Sequence, residues 1–495
     1  MKPSKNLIVG VASSVWAALV ALAVVPFYLR YLGIESYGLI GFFATAQATI
    51  ALLDMGLSAT INREVARHLA RGTLDRAGTL LRTLSAVYWG TAGVLVVVAL
   101  LAAPHIAAGW LNSRSLSIET LSRSVVLLGL VIACRWPIGL YQGVLFGAHR
   151  LILTSAVSVV MTTLGSLGAV VVLARVSPTI EAFFAWQACV GIAYALTVRH
   201  LAWRVLGVKE RLRFDLAELR RIWAFTAGMS GVAISGMLLL QGDKLILSKL
   251  LSLEAFGHYV LATVVASGLY LILTPTFNLI FPRLSALFLK ADSTELVDYY
   301  RHGTRLLACA LFPIATVSIV FATDLLRLWT REPALAESAA PIVRLYLIGT
   351  TLNGVMHFPY ALQLASGKTG TPVMINFCLL VLMLPLTTFL TIAYGAIGGA
   401  AAWAILNVFY VLVGTWLTHR VLLTGIGARW LVNDVGLPLV STVVVVGTVS
   451  IWLSGLPLPR PLLLGLAAAF AGGFCFLAMF AERIYGKRVT ALSAM

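Results

Sequence analysis

The sequence predicts an all-α integral membrane protein with about fourteen transmembrane helices. Two observations carry this prediction. Of the 495 residues, 60% are hydrophobic and only 11% are charged, whereas soluble domains carry roughly 25% charged residues. Apolar runs of about 18 or more residues, long enough to cross a hydrocarbon core of about 30 Å, recur from one end of the chain to the other. A chain with so few charges could not cover its own surface in water.

The apolar runs define the predicted spans in order along the chain. The least certain divisions separate the fourth span from the fifth and the eleventh from the twelfth. The polar connections are short, about twenty residues at most, which leaves no room for a soluble catalytic domain. The predicted spans are 6–29, 37–61, 83–103, 122–148, 151–174, 180–200, 222–248, 253–281, 304–325, 339–366, 371–394, 396–418, 435–455 and 461–482.

The basic residues are distributed unevenly between the two sets of alternate loops. The formal net charge is +17, and Lys and Arg residues on one side outnumber those on the other by about three to one. Because cytoplasmic loops carry the excess of Lys and Arg, both termini and the loops with Arg71 and Arg211 are predicted to be cytoplasmic. Topology therefore accounts for the basicity, and no nucleic-acid partner is predicted.

An internal repeat relates the two halves of the sequence. A shift of 219 residues aligns Arg30–Gly38 with Lys249–Gly257, so that a cation, Leu, Glu, an aromatic residue and Gly coincide. A slightly larger shift aligns Arg135-Trp136-Pro137 with His357-Phe358-Pro359. Chance matching of apolar sequence is the alternative, but the matches include charged residues. We predict two six-helix bundles related by a pseudo-twofold axis along the membrane normal, with a site between them. The predicted domains are 1–210, 211–425 and a pair of additional helices in 426–495.

Motifs of soluble enzymes are missing from the sequence. Ser366-Gly367-Lys368-Thr369 has the ending of a phosphate-binding loop, but Leu362 stands where the motif requires the first Gly. No HExxH, paired-cysteine or Gly-x-Ser-x-Gly pattern occurs. We therefore expect neither an enzyme, nor a bound cofactor, nor a metal site.

Arg135 is the most informative polar residue because it lies near the middle of a predicted span. A cation at the bilayer centre costs about 2.5–3.5 kcal/mol even on the lenient insertion scale, so it faces a partner or a wet cavity. A functional cavity-facing role and a buried structural ion pair both remain open. His357, which the repeat aligns with Arg135, is either functional or a hydrogen-bonding core residue.

Other charged residues near the spans have two interpretations each. Asp54 lies in the cytoplasmic half of the second span. Asp243 and Lys244, in the periplasmic third of the seventh span, either function together or balance each other locally. Arg30 stands at the periplasmic end of the first span, where interfacial anchoring is the simpler interpretation.

Glycines recur on the helix that carries Arg135. Gly139, Gly143 and Gly147 are spaced four residues apart, a pattern that allows helix backbones to approach closely. We expect this face to pack against another helix.

Several segments of this chain resemble one family of membrane proteins. The resemblance covers roughly residues 1–420 and is to the Wzx-type oligosaccharide-lipid flippases of the multidrug/oligosaccharidyl-lipid/polysaccharide exporter superfamily. The segments that carry it are Leu29–Leu39 (LRYLGIESYGL), Leu53–Leu57 (LDMGL), Arg63–Ala66 (REVA), Asp243–Leu247 (DKLIL), Phe256–Ala262 (FGHYVLA) and Gln363–Lys368 (QLASGK).

The resemblance implies a flippase of the bacterial inner membrane. Such proteins move undecaprenyl-pyrophosphate-linked oligosaccharides between leaflets by alternating access, driven by a counter-ion gradient of sodium or protons. It also implies the lipid bilayer, a polysaccharide polymerase and chain-length machinery as partners. The glycan could belong to O-antigen, exopolysaccharide or another pathway.

The resemblance also implies roles for named residues. A pyrophosphate needs fixed cations when it leaves water, and Arg135, Arg30, Lys244 and Arg344 are the candidates for a cationic cavity. Asp54, Asp243 and His357 are the candidates for ion coupling or gating. This sequence departs from the expected pattern because His357, rather than a second fixed cation, is the repeat equivalent of Arg135.

Two other functions are compatible with the sequence. A drug/cation antiporter of the same superfamily would share the fold but should prefer acidic and aromatic cavity residues. A membrane-embedded glycan polymerase would need a sizeable periplasmic loop, and the longest predicted outside loop is the modest segment 104–121.

Overall fold

The structure is a computed structural model, and its described residues are helical apart from turns and an isolated β-bridge between Asn112 and Ser252. They divide into two compact units, residues 1–257 and 258–495. The described residues are 5–54, 56–207, 214–215, 238–289, 293–367, 370–454, 469–470 and 472–473.

The first unit contains eight helices and the start of a ninth among its described residues. They are long and apolar because each span must satisfy its backbone hydrogen bonds internally in lipid. Their bounds are α1 Lys5–Ile50, α2 Leu57–Ala70, α3 Leu74–Gly109, α4 Ile118–Arg135, α5 Ile138–Gly147, α6 Leu151–Arg175, α7 Ile180–Leu206, α8 238–250 and α9 Leu253–Ser267.

Helix α1 contains the first predicted span and the beginning of the second. It has 46 residues, about 69 Å at 1.5 Å per residue, which is more than twice the thickness of a hydrocarbon core. Gly33 interrupts it with φ 75° and ψ 173°, a conformation that is readily accessible only to glycine. The connection predicted between residues 29 and 37 is therefore a single-residue break inside an otherwise helical segment.

The glycine face of α5 packs against α2, as the spacing predicts. A Cβ added to Gly143 would lie 2.5 Å from the carbonyl oxygen of Ser58, and one added to Gly147 would lie 2.4 Å from that of Asn62. Ile61 and Tyr141 belong to the buried cluster at this junction. The two backbones can approach this closely only because α5 carries no side chain at these positions.

The repeat positions Gly38 and Gly257 contact each other's helix segments reciprocally. A Cβ on Gly38 would lie 2.3 Å from the Leu253 carbonyl oxygen, and a Cβ on Gly257 would lie 2.4 Å from the Ile34 carbonyl oxygen. Ile34 and Leu253 are themselves related by the shift of 219 residues. Each glycine is thus the fifth residue after a break in the helix, and the contact is of the kind that a local two-fold axis produces. All four residues belong to the first unit.

The second unit continues with long apolar helices. Helices α11, α13 and α15 contribute many of its buried side chains, including Phe312, Leu347 and Met383. The remaining bounds are α10 Tyr270–Leu289, α11 Ser293–Val320, α12 Ala322–Thr330, α13 Pro333–Val355, α14 His357–Ala365, α15 Gly370–Phe409, α16 Thr415–Leu422 and α17 Gly427–Trp452, the last with a π-helical segment at Trp430–Gly436.

Two features of the second unit explain where its spans begin and end. Gly395, with φ 63° and ψ −141°, interrupts the 40-residue helix α15 between the predicted spans 371–394 and 396–418. Asp434, which is fully buried, fixes α17 to α11. Its carboxylate accepts from Arg301 Nε at 2.7 Å and Nη2 at 3.2 Å, and it pairs with Arg305 Nε at 3.2 Å.

The predicted fold class is confirmed: the chain is an all-α membrane protein, and its structure is consistent with fourteen spans. Among the described residues, nine helical stretches are long and apolar enough to cross a bilayer, and two of them are interrupted by Gly33 and Gly395. The predicted span 461–482 lies almost entirely outside the described residues, as do the first part of 222–248 and the loop with Arg211. The predicted domain boundaries stay predictions.

Candidate substrate-binding site

Arg135 is the last residue of α4, where the helix is interrupted inside an apolar span. Trp136 and Pro137 form the break, and α5 resumes at Ile138. The stretch Ile118–Gly147 still has the length and composition of one membrane span. Proline removes a backbone donor and disfavours helical geometry in the residue before it, which explains the break. Arg135 thus lies at a discontinuity of the backbone in the interior of a span.

Neutral groups hold the Arg135 side chain in place. Its Nη2 donates to Gln187 Oε1 at 2.6 Å and its Nη1 donates to Gln47 Oε1 at 3.3 Å. The guanidinium carbon lies 5.6 Å from the centre of the Phe43 ring. Gly191 leaves space for the aliphatic stem, because a Cβ there would be 3.2 Å from Arg135 Cγ. Residues of α1, α4 and α7 therefore position this guanidinium together.

Gln187 is itself oriented by the backbone. Its amide nitrogen donates to the Gly165 carbonyl oxygen at 3.3 Å, which turns its oxygen toward Arg135. Amide oxygens solvate a guanidinium but leave its charge uncompensated. In the part of the chain that the structure describes, no carboxylate lies within ion-pair distance of Arg135. Such a group is prepared to pair with an anionic ligand, which it can grip through two parallel N–H donors.

Asp54 lies in a short 3-10 segment between α1 and α2. Its carboxylate accepts from the Tyr88 hydroxyl, from Ser58 Oγ at 2.9 Å and from the Ser58 backbone nitrogen at 3.2 Å. The Tyr88 ring lies 5.8 Å from that of Trp136, the residue next to Arg135. Asp54 therefore fixes the start of α2 and is linked through two aromatic rings to the break that carries Arg135.

His357, the repeat equivalent of Arg135, also stands at a break, since α13 ends at Val355 and α14 begins at His357. Its Nδ1 lies 3.4 Å from the Asn353 carbonyl oxygen, and its ring packs on the edge of Phe277. Nearby, Asn353 donates to Asn407 at 3.0 Å and accepts from Tyr270 at 3.3 Å. This half of the repeat therefore carries a neutral polar cluster where the first half carries a cation.

Asp243 and Lys244 lie on α8 and pair with each other. Lys244 Nζ is 3.6 Å from Asp243 Oδ1 and donates to the Leu240 carbonyl oxygen at 2.9 Å. Asp243 is 3% exposed. The contacts recorded for Lys244 stay within α8, which favours local charge balance over a free cationic group.

The other two candidate cations occupy different surroundings. Arg30 is exposed, and its guanidinium lies 5.9 Å from the Tyr31 ring centre. Arg344, in the second unit, donates to the Ile319 carbonyl oxygen and to Thr323 Oγ1, both at 3.2 Å. Arg344 thereby satisfies backbone and side-chain acceptors where α11 meets α12. Of the four candidate cations, Arg135 combines an interior position with neutral partners.

Three polar residues of these clusters were not singled out from the sequence. Gln47 and Gln187 orient Arg135, and Asn407 partners Asn353. Uncharged amides are inexpensive enough in apolar helices to escape a search for charges. The repeat contained a usable signal, because Asn407 follows Gln187 by 220 residues, within the range of shifts that relates the two halves.

An all-α protein with many apolar spans and a guanidinium held inside one of them is a multi-pass membrane transporter rather than an enzyme. The chain belongs to the polysaccharide biosynthesis protein family, whose model matches residues 4–288, more than half of the 495 residues. A second family model, MatE, matches residues 243–389.

A curated relative and two solved structures resemble this chain. A Shigella flexneri protein named for O-antigen transport is 24% identical over 209 residues, which is 42% of this chain and 49% of that protein. The match thus spans about half the length of that relative. The lipid II flippase MurJ, in an inward closed conformation, superposes with a TM-score of 0.70 at 13% identity, over 97% of this chain and 100% of that one.

The second structure is an inward-facing multidrug resistance MATE family transporter of the MOP superfamily. Its TM-score is 0.65 at 13% identity, over 84% of this chain and 96% of that one. At these identities the two structures establish a shared fold. Together with the family match, they place the chain among the membrane transporters of that superfamily.

Proposed function

We propose that this protein is a flippase that moves an undecaprenyl-pyrophosphate-linked oligosaccharide from the cytoplasmic to the periplasmic leaflet of the bacterial inner membrane. Membership of the polysaccharide biosynthesis family supports the class of cargo. The relative named for O-antigen transport and the likeness to a lipid II flippase support a lipid-linked glycan. We further propose alternating access coupled to a sodium or proton gradient, with both termini in the cytoplasm.

The observation that carries the proposal is the Arg135 guanidinium with neutral partners among the described residues. A pyrophosphate brings at least two negative charges into the protein and must exchange water for fixed donors. Arg135 offers a planar pair of donors in a setting where water is scarce, so each contact is stronger than it would be at the surface. The amides of Gln47 and Gln187 keep the guanidinium extended while the site is empty of anion.

The remaining charged candidates have secondary roles in this proposal. Arg30, Lys244 and Arg344 would contribute positive potential along the path of the pyrophosphate. Asp54, Asp243 and His357 are proposed to couple ion movement or gating to transport. For Asp54 the argument is positional, because its carboxylate fixes the start of α2 and contacts Tyr88, which packs on Trp136 beside the Arg135 break.

The test compares three variants for glycan export at equal protein level in the membrane. Arg135→Ala should abolish export while insertion stays normal, and Arg135→Lys should restore it only in part because a lysine loses the bidentate geometry. Arg123→Ala is the matched control, since Arg123 lies on the same helix, is exposed and pairs with Glu119. We expect the control to export normally.

Two outcomes would overturn the role of Arg135. Normal export by Arg135→Ala would show that no essential anion contacts this guanidinium. Failure of both Arg135 variants to accumulate, with Arg123→Ala unaffected, would make Arg135 a residue required for folding.

A drug/cation antiporter is the second candidate, favoured by the MatE match over residues 243–389. An antiporter of cationic drugs should gain from the loss of a positive charge in its binding site, whereas a pyrophosphate flippase should lose activity. Efflux of a cationic dye from cells that express wild-type protein, and stronger efflux by Arg135→Ala, would favour this alternative.

A further inference from the structure

A cavity of about 450 Å³ lies between the end of α16 and the start of α17. Its walls include Thr415, Trp416, His419 and Arg420 on one side and Gly427 and Ala428 on the other. The connection between the two helices is a tight turn in which Gly425 has φ 85°. We call this cavity the α16–α17 notch. It lies in the second unit, apart from the Arg135 site of the first.

A buried imidazole nitrogen without a partner borders the notch. His419 is 3% exposed, and its Nε2 lies 3.0 Å from the Tyr300 hydroxyl. The Tyr300 O–H has its one recorded acceptor in Nε2, so that hydroxyl donates and the proton of the neutral imidazole lies on Nδ1. His419 Nδ1 has no hydrogen-bond partner in the described part of the chain, and a Cβ on Gly427 would lie 3.5 Å from it. A buried donor is therefore left unsatisfied beside the notch.

The first turn of α17 supplies further donors. The helix begins at Gly427, and no side chain caps the residue before it, Ile426. The backbone N–H groups at a helix start lack intrahelical acceptors and carry the positive end of the helix dipole. They stand opposite Arg420 across the notch.

Arg420 completes the group of donors. Its guanidinium carbon lies 5.3 Å from the centre of the Trp416 ring, and no described carboxylate pairs with it. An imidazole N–H, an uncapped helix start and a guanidinium are all donors, and two of them carry positive charge or potential. This combination fits a phosphate group, which offers only acceptors and negative charge.

The flank of the notch indicates where the phosphate comes from. Leu412 and Trp416 are 54% and 56% exposed, and both line the notch. The apolar span ends at Leu422 and the next begins at Gly427, so the notch lies at the boundary between hydrocarbon and water. An acyl chain beside Leu412 and Trp416 would place a lipid phosphate level with Arg420.

We propose that the α16–α17 notch is a binding site for the phosphate of an anionic phospholipid. The lipid would satisfy the donors of His419 and of the α17 start while its acyl chain covers the apolar flank. This site is separate from the path of the transported cargo, and the proposal does not depend on what that cargo is.

Native mass spectrometry of the purified full-length protein tests the proposal. Wild-type protein should retain phosphatidylglycerol in preference to phosphatidylcholine. Arg420→Gln should weaken phosphatidylglycerol binding about tenfold, which corresponds to about 1.4 kcal/mol, and Arg420→Lys should lose less. The control is Arg429→Gln, because Arg429 is exposed on the same turn of the chain but does not line the notch.

Three results would overturn the proposal. Equal retention of the two lipids would show that no anion-selective site exists. An equal loss in Arg420→Gln and Arg429→Gln would reduce the effect to general surface charge. Binding of inorganic phosphate by the wild type, with no retention of phosphatidylglycerol, would make the notch a site for free phosphate instead.

Discussion

The contact between α2 and α5 makes a quantitative prediction about Gly143. In Gly143→Ala the new methyl group would lie 2.5 Å from the Ser58 carbonyl oxygen and 2.7 Å from Ile61 Cγ2. The first of these atoms belongs to a helix backbone, so the conflict cannot be relieved by a side-chain rotation. The two helices must separate, or the variant must hold a compressed contact.

The magnitude follows from two opposing effects. Replacing a helical glycine by alanine gains about 1 kcal/mol from helix propensity. Overpacking a close contact costs about 1–3 kcal/mol. Gly93→Ala is the matched control, because Gly93 lies in the apolar helix α3, is exposed, and has no atom within 4 Å of an added Cβ. The two variants should therefore differ by about 1–3 kcal/mol in stability, since they share the propensity gain.

Thermal unfolding of the purified protein in detergent, followed by intrinsic tryptophan fluorescence, measures this difference. We expect Gly143→Ala to unfold at a lower apparent melting temperature than the wild type, and Gly93→Ala to unfold at the same or a slightly higher one. Equal melting temperatures for the two alanine variants would refute the close approach of α5 to α2.

Three other predictions follow from the fold. Asp434→Asn leaves two guanidinium groups without their carboxylate and should lower the stability by about 1–3 kcal/mol, less than for a fully buried pair because both are partly exposed; Glu337→Gln, at an exposed ion pair, should change it little, and equal effects would contradict the clamp on α17. Gly257→Ala places a Cβ 2.4 Å from the Ile34 carbonyl oxygen, so its melting temperature should fall; an unchanged value would argue against the reciprocal contact. A cysteine at Gly72 should react with an impermeant maleimide only from the cytoplasmic side, and labelling of intact cells would reverse the topology.

The sequence predicts the helical spans well because the bilayer imposes a minimum length on each apolar run. The prediction is less accurate at the ends of helices. The third span was predicted as 83–103, whereas α3 runs from Leu74 to Gly109. Its first residues include Asp75, Arg76 and Arg82, which belong outside hydrocarbon but are compatible with a helix. Hydropathy reports where the lipid ends, and the helix continues beyond that point.

The repeat found in the sequence has a structural counterpart in the contact of Gly38 with Gly257. The alignment gave these residues equivalent positions, but it gave no indication that they contact each other. Two helix segments related by a local two-fold axis meet at that axis, and only a residue without a side chain allows their carbonyl groups to approach. A small residue repeated at the shift was therefore informative about packing as well as ancestry.

The candidate site could be predicted in part. Arg135 was identifiable because a cation inside an apolar run is expensive. Its partners were not, because Gln47 and Gln187 are distant in the sequence and carry no charge. Their contacts depend on how α1 and α7 pack, which hydropathy does not specify. The neutral cluster of Asn353 and Asn407 was missed for the same reason.

Translocation by the purified protein in liposomes tests the central claim most directly. The cargo is a fluorescent oligosaccharide linked to undecaprenyl pyrophosphate, and its arrival in the opposite leaflet is followed by the accessibility of the sugar to an impermeant quencher. We predict that the wild-type protein accelerates translocation over protein-free liposomes and that Arg135→Ala, reconstituted to the same density, does not. Translocation at the protein-free rate by the wild type, or at the wild-type rate by Arg135→Ala, would contradict the account.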